Sequence, residues 1–214
     1  MPPPDSPPPT GPAQPGAAPA AGAAKPELRR HWRARRRALL PPVAAALAAA
    51  ARRDLPPLVA PPLHLGLYWP LPGEPDLRGL ADLGSLRLAL PWSPPGQTGP
   101  EAGLHYRPWR PGEPLEPDGC GIPAPLGSIS LTPAELALLL VPALAVDRRG
   151  IRLGSGGGWY DRLRAQPAWR TVPAVAVLPR ACVVDRLPAD PWDVPFDGWL
   201  SEAGLEWRES VASL

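Results

Sequence analysis

Leu136-Ala137-Leu138-Leu139-Leu140-Val141-Pro142-Ala143-Leu144-Ala145-Val146 is an unbroken apolar run, and after Asp147 to Gly150 it leads into Arg152-Leu153-Gly154-Ser155-Gly156-Gly157-Gly158-Trp159-Tyr160-Asp161. A run without polar alternation reads as one central strand buried on both faces. The glycine-rich segment then sits between a buried strand and a helix near 159–165. Four glycines in five positions let the backbone turn its N–H groups toward an anion, and the start of the following helix adds partial positive charge. A phosphate fits such a turn. The pattern is neither the GxGxxG of dinucleotide folds, because Trp159 occupies the last glycine's place, nor a Walker A loop, because no Gly-Lys-Ser/Thr follows. A plain flexible turn is the competing reading, and the flanking Arg152 and Asp161 weigh against it.

Upstream, Leu28, Trp32, Arg36 and Leu39 recur at three-to-four spacing among many arginines, which predicts an amphipathic helix from Lys25 to Leu40. Pro41-Pro42 is expected to end it, with Pro42 opening a second, alanine-rich helix that reaches about Arg53. Residues 63–69 read as a strand, 76–82 as a short helix and 85–92 as a strand with Leu86, Leu88 and Leu90 alternating. This is a βαβ unit, which places parallel strands in one sheet. Residues 93–130 are rich in Pro and Gly and read as loops with a strand at 104–109. A buried strand at 172–178, a polar loop and a final short strand follow. The fold class is an α/β sandwich.

The remaining composition sets limits. Residues 1–24 hold only Met, Pro, Ala, Gly, Ser, Thr, Gln and one Asp, too little apolar surface to offset chain entropy, so a disordered tail ahead of one domain at 25–214 is expected. A net charge of +2 points to no nucleic-acid partner. The absence of a signal peptide or a long apolar span points to no membrane and to a cytoplasmic location. Cys120 and Cys182 lack any zinc-type spacing, and His31, His64 and His105 suggest no metal site. Lys25 is the only lysine among 22 basic residues, a hint that this position needs a compact ammonium.

Leu140 to Asp147 followed by Gly150 to Asp161 resembles the signature of 5-formyltetrahydrofolate cyclo-ligases (methenyltetrahydrofolate synthetases), close to VPxxAFDxxGxRLGxGxGYYD. Other segments agree in order. Lys25 to Arg29 is similar to the family's KxxLR helix. Tyr68-Trp69 with Gly73-Glu74-Pro75-Asp76 resembles its substrate strand and loop. Gly121-Ile122-Pro123-Ala124-Pro125 is similar to GIPEP, and Leu187-Pro188 with Trp192-Asp193-Val194-Pro195 to LPxxxWDxPxD. The departures are Trp159 for Tyr or Phe, Ala124 for glutamate, and Pro179-Arg180 in place of a His-Asp-like pair.

The resemblance implies a three-layer fold of the NagB/RpiA/CoA-transferase type with a mainly parallel or mixed sheet. It also implies a monomeric enzyme that closes 5-formyltetrahydrofolate, in some cases polyglutamylated, to 5,10-methenyltetrahydrofolate, with Mg2+ as cofactor and ATP as co-substrate. Lys25, Arg29, Arg152 and the segment Leu153, Gly154, Ser155, Gly156, Gly157, Gly158, Trp159 and Tyr160 would bind ATP, with Lys25, Arg152 and Tyr160 acting in catalysis. Trp69 and Glu74 would contact the folate, and Asp161 and Asp193 would hold magnesium. Two alternatives stay open from the residues alone: a diverged ATP-binding paralogue with another substrate, and a non-catalytic RNA-associated module using the arginine-rich helix.

Overall fold

The computed structural model describes residues 24–96 and 103–209, so the expectation of a disordered tail at 1–24 lies almost wholly outside the described residues. The chain opens with α1 (Lys25–Asp54), a single helix through Pro41 and Pro42. This corrects the expected break. A proline removes one helix hydrogen bond and crowds the carbonyl four residues back. Here the carbonyls concerned belong to Arg37 and Ala38, which, like both prolines, are exposed, so water can satisfy them. Burial then holds the helix together on either side. Leu28 and Trp32 join one apolar cluster, while Leu47, Ala50 and Ala51 join the other.

The strands follow as β1 (His64–Gly66), β2 (Arg87–Trp92), β3 (His105–Trp109), the hairpin β4 (Leu115–Pro117) and β5 (Pro123–Pro125), β6 (Leu136–Pro142), β7 (Ala145–Asp147) and β8 (Arg152–Leu153). Helices α2 (Trp159–Ala165) and α3 (Pro167–Arg170) precede β9 (Ala174–Val177), β10 (Val183–Val184), β11 (Gly198–Ser201) and β12 (Gly204–Trp207). Seven strands form the main sheet in the order β12-β11-β9-β6-β1-β2-β3. Its inner pairs are parallel and both edges are antiparallel. β6 and β9 show the two-faced burial predicted for central strands: Leu138, Leu140, Val175 and Val177 enter one cluster, and Leu139, Val141, Ala174 and Ala176 the other.

The apolar run at 136–146 is not one strand. β6 ends at Pro142, and β7 belongs to a separate sheet with order β10-β7-β8. The corner is held by the donors that meet it. The Ala143 N–H donates to the Val177 carbonyl and the Leu144 N–H to the Leu153 carbonyl. Arg152 Nη1 donates to the Pro142 carbonyl at 3.3 Å and Arg36 Nη1 to the Ala143 carbonyl at 3.0 Å. Side-chain periodicity carries no trace of such a corner, because apolar residues run unbroken from 136 to 146, across both strands, and most are buried. Among the described residues no helix is long and apolar enough to cross a membrane.

Candidate active site

One cavity of about 500 Å³ opens where the carboxyl ends of the central strands meet the glycine-rich turn. In an open α/β sheet this is where ligands bind. Every residue singled out above for a role lines it: Lys25, Arg29, Trp69, Glu74, the whole segment from Arg152 to Asp161, and Asp193. The departures Ala124 and Pro179-Arg180 do not. Ala124 is buried in the β4–β5 hairpin, and Arg180 makes its contacts with Glu202 and Glu206.

The glycine-rich turn is shaped by its glycines. A Cβ at Gly154 would collide with the Arg152 guanidinium, and Gly156 holds φ +114°, a backbone that side chains rarely adopt, beside Arg29. Arg33 and Arg162 donate to the carbonyls of Ser155 and Gly157, at 3.3 and 3.0 Å, pinning the loop from outside. Arg162 also lies 4.8 Å over the Trp159 ring. Among the described residues neither Arg29 nor Arg162 has a carboxylate partner, and the buried Nε of each is without a hydrogen bond. Two uncompensated guanidiniums beside a glycine loop favour an anion.

The other charges are paired. Lys25 Nζ donates to Asp190 Oδ2 at 2.5 Å and to Asp193 Oδ2 at 2.9 Å, and Asp193 also accepts the Asp190 N–H at 2.8 Å. Partial burial disfavours the ammonium, but the two carboxylates outweigh it and hold the Lys25 pKa above its ordinary value. Arg152 Nη2 donates to Asp161 Oδ1 at 3.1 Å, with its guanidinium carbon 5.7 Å from the centre of the Tyr160 ring. Tyr160 itself has its pKa pushed up by burial. The Trp69 and Trp109 rings meet edge to face, and the Arg78 guanidinium lies over the Trp69 ring at 4.5 Å. Glu74 has a side chain only 6% exposed and lies 3.6 Å from Arg36 Nη2. Burial raises its pKa against the opposing pull of the Leu71 N–H, Arg36 and Arg152.

Sequence reasoning passed over Asp190, Arg36 and Asp147. Asp147 is fully buried. Its carboxylate accepts from the N–H groups of Arg149, Ile151 and Leu187 and from the Arg149 side chain, fastening the loop that carries Asp190 and Asp193 to β7. An aspartate in an apolar strand is the one signal that could have marked it, since a buried carboxylate must be heavily hydrogen-bonded.

For a metal, Asp161 and Asp193 offer hard oxygen ligands only, and neither His nor Cys lines the cavity. Among the described residues no cluster of three His, Cys, Asp or Glu side chains could form a cage by itself. One or two carboxylates completed by phosphate oxygens and waters is the donor set of magnesium. The residues present fit that ion.

A family model described as the 5-formyltetrahydrofolate cyclo-ligase family matches residues 21–202. A 5-formyltetrahydrofolate cyclo-ligase of Mycolicibacterium smegmatis is 37% identical over 132 residues, 59% of this chain and 67% of that protein. The fold is similar to the NMR structure of 5,10-methenyltetrahydrofolate synthetase from Aquifex aeolicus, with TM-score 0.69 and 27% identity over 89% of this chain and 95% of that one. A 5,10-methenyltetrahydrofolate synthetase from Mycoplasma pneumoniae, at TM-score 0.60 and 20% identity over 84% of this chain and 99% of that one, agrees in fold.

Proposed function

Because the chain belongs to the 5-formyltetrahydrofolate cyclo-ligase family, we propose that it is the enzyme that closes 5-formyltetrahydrofolate to 5,10-methenyltetrahydrofolate, consuming ATP with magnesium and releasing ADP and phosphate. The observation that carries this reading is the meeting of the glycine-rich turn, two guanidiniums without carboxylate partners among the described residues (Arg29 and Arg162), the carboxylates of Asp161 and Asp193, and Trp69 with Glu74 in one cavity.

The chemistry asked of the residues is modest. Hydroxide is a poor leaving group, so the formyl oxygen first takes the γ-phosphoryl group from ATP as ADP leaves. The folate's own neighbouring N–H nitrogen then attacks the formyl carbon and gives up its proton, and the C–O bond breaks to release phosphate. The second step is intramolecular and gains a large effective molarity. Arg29, Arg152, Lys25 and the N–H groups of 153–160 hold the phosphates and stabilise the charge that develops on transfer. Tyr160 closes the wall beside Arg152. Magnesium, held by Asp161 and Asp193, would neutralise charge on the β- and γ-phosphates. Trp69 offers apolar ring surface to the flat pterin at the cavity wall, and Glu74 accepts hydrogen bonds from the pterin's N–H groups.

The test is the growth of the methenyl chromophore from 5-formyltetrahydrofolate, with ATP and magnesium each omitted in turn. Signal only with both present supports the reading. No signal, with ATP bound normally, would leave an ATP-using enzyme with a different substrate.

A further inference from the structure

We infer that Arg36 is a positioning residue for folate closure, holding the Glu74 carboxyl in place from behind the cavity wall. This rests on the function proposed above. Arg36 does not line the cavity. It sits on the buried side of α1 with a side chain 5% exposed, donates through Nη1 to the Ala143 carbonyl at 3.0 Å, and brings Nη2 to 3.6 Å from Glu74 Oε1. The second carboxylate oxygen of Glu74 accepts the Leu71 N–H at 3.1 Å. Both oxygens are therefore engaged from the protein side, which fixes the direction the carboxylate presents to the cavity.

Two features separate this pair from an ordinary buried ion pair. Its carboxylate is in the wall of the site, and its guanidinium is anchored at the corner where the chain leaves the main sheet. The preceding carbonyl, Pro142, accepts Arg152 Nη1, and the other end of that guanidinium holds Asp161. Consecutive carbonyls thus tie the two walls together: Ala143 through Arg36 to Glu74 on the folate side, and Pro142 through Arg152 to Asp161 on the phosphate side. The distance between reacting atoms depends on that spacing, and small misplacements are costly in rate. Burial raises the Glu74 pKa and lowers that of Arg36, so each charge depends on its partner. A planar fork is needed to reach a carbonyl and a carboxylate at once.

The experiment compares Arg36→Gln, Arg36→Lys, Glu74→Gln and the double variant Arg36→Gln/Glu74→Gln with the wild type. KM and kcat would be measured for each substrate, 5-formyltetrahydrofolate binding by calorimetry, and folding by thermal melting. Arg36→Gln keeps a donor for Ala143 while removing the charge, which guards against collapse of the corner. Truncating one member of a buried charge pair should raise the folate KM and Kd about 30-fold or more and leave the ATP KM within about twofold. Arg36→Lys should recover part of the loss, and the double variant should be no worse than Glu74→Gln alone, since a residue acting through Glu74 adds nothing once Glu74 is gone. Multiplying losses in the double variant, equal rises in both KM values, or an unchanged folate Kd in folded Arg36→Gln would each overturn the inference. A wild type that forms no chromophore would instead overturn the proposed reaction.

Discussion

Replacing Lys25 by Ala separates phosphate handling from structural support. The ammonium is held by Asp190 at 2.5 Å and Asp193 at 2.9 Å and is 24% exposed. The lysine and both carboxylates are only partly buried, and Lys25→Ala leaves Asp193 with the Asp190 N–H, so the pairing should contribute only about 1 kcal/mol to folding and the variant should melt close to the wild type. On the proposed reading the same ammonium turns to a phosphate in the transition state, and loss of one such charged donor should lower turnover by about 10²–10³, or about 2.7–4 kcal/mol. The metal should respond in the opposite direction. Without the lysine, Asp193 loses the cation that competes for its oxygen, so magnesium should saturate at lower concentration. The assay is the methenyl absorbance at saturating ATP across a magnesium titration, beside a melting curve. Turnover within about threefold of the wild type would refute the phosphate role, and a fall in melting temperature matching the fall in activity would show that Lys25 mainly holds the loop at 187–193.

Three further outcomes follow from the same geometry. Burial holds the Glu74 pKa above its ordinary value against the pull of the Leu71 N–H, Arg36 and Arg152; on acidification it takes up its proton earlier than an ordinary glutamate, so folate kcat/KM should begin to fall at a higher pH than a solvent-exposed glutamate would dictate, and Glu74→Gln should remove that limb from the profile. Asp147→Asn puts an amide donor among N–H groups that need an acceptor, so it should cost about 3 kcal/mol or more and raise the ATP KM as the loop at 187–193 loosens; an unchanged denaturation midpoint would contradict this. Pro42→Ala restores an N–H for the Ala38 carbonyl and should stabilise the fold by about 2 kcal/mol, the ~3 kcal/mol difference in helix propensity less ~1 kcal/mol for the freer unfolded chain, read from urea denaturation.

What was legible in the sequence was whatever depends on neighbours in the chain. The glycine turn, the parallel β1–β2 unit and the unbroken apolar run of β9 are local patterns, and local patterns survive in one dimension. Pro41-Pro42 misled because its cost depends on which way Arg37 and Ala38 face, and only packing decides that. The strand from 136 to 146 misled because a corner between two buried strands changes hydrogen-bond partners without changing polarity.

The site divides in the same way. Its positive and glycine-rich members stand out from composition, since a loop with four glycines or a lone lysine is unusual wherever it folds. Its pairings do not. Lys25 meets Asp190 and Asp193 from 165 and 168 residues away, and Arg36 meets Ala143 across 107. Those pairings explain how so many ionised side chains coexist around one cavity. Lys25 with two aspartates, Arg152 with Asp161 and Arg36 with Glu74 hold the walls near neutrality, leaving Arg29 and Arg162 at the turn for an incoming anion. A nucleotide arriving without metal would draw Lys25 and Arg152 from their carboxylates and leave those unpaired, while metal arriving alone would displace the same cations with no phosphate to receive them. The ligands relieve each other's cost when they arrive together, so nucleotide and magnesium should each tighten the other's binding by the same factor, as linkage requires.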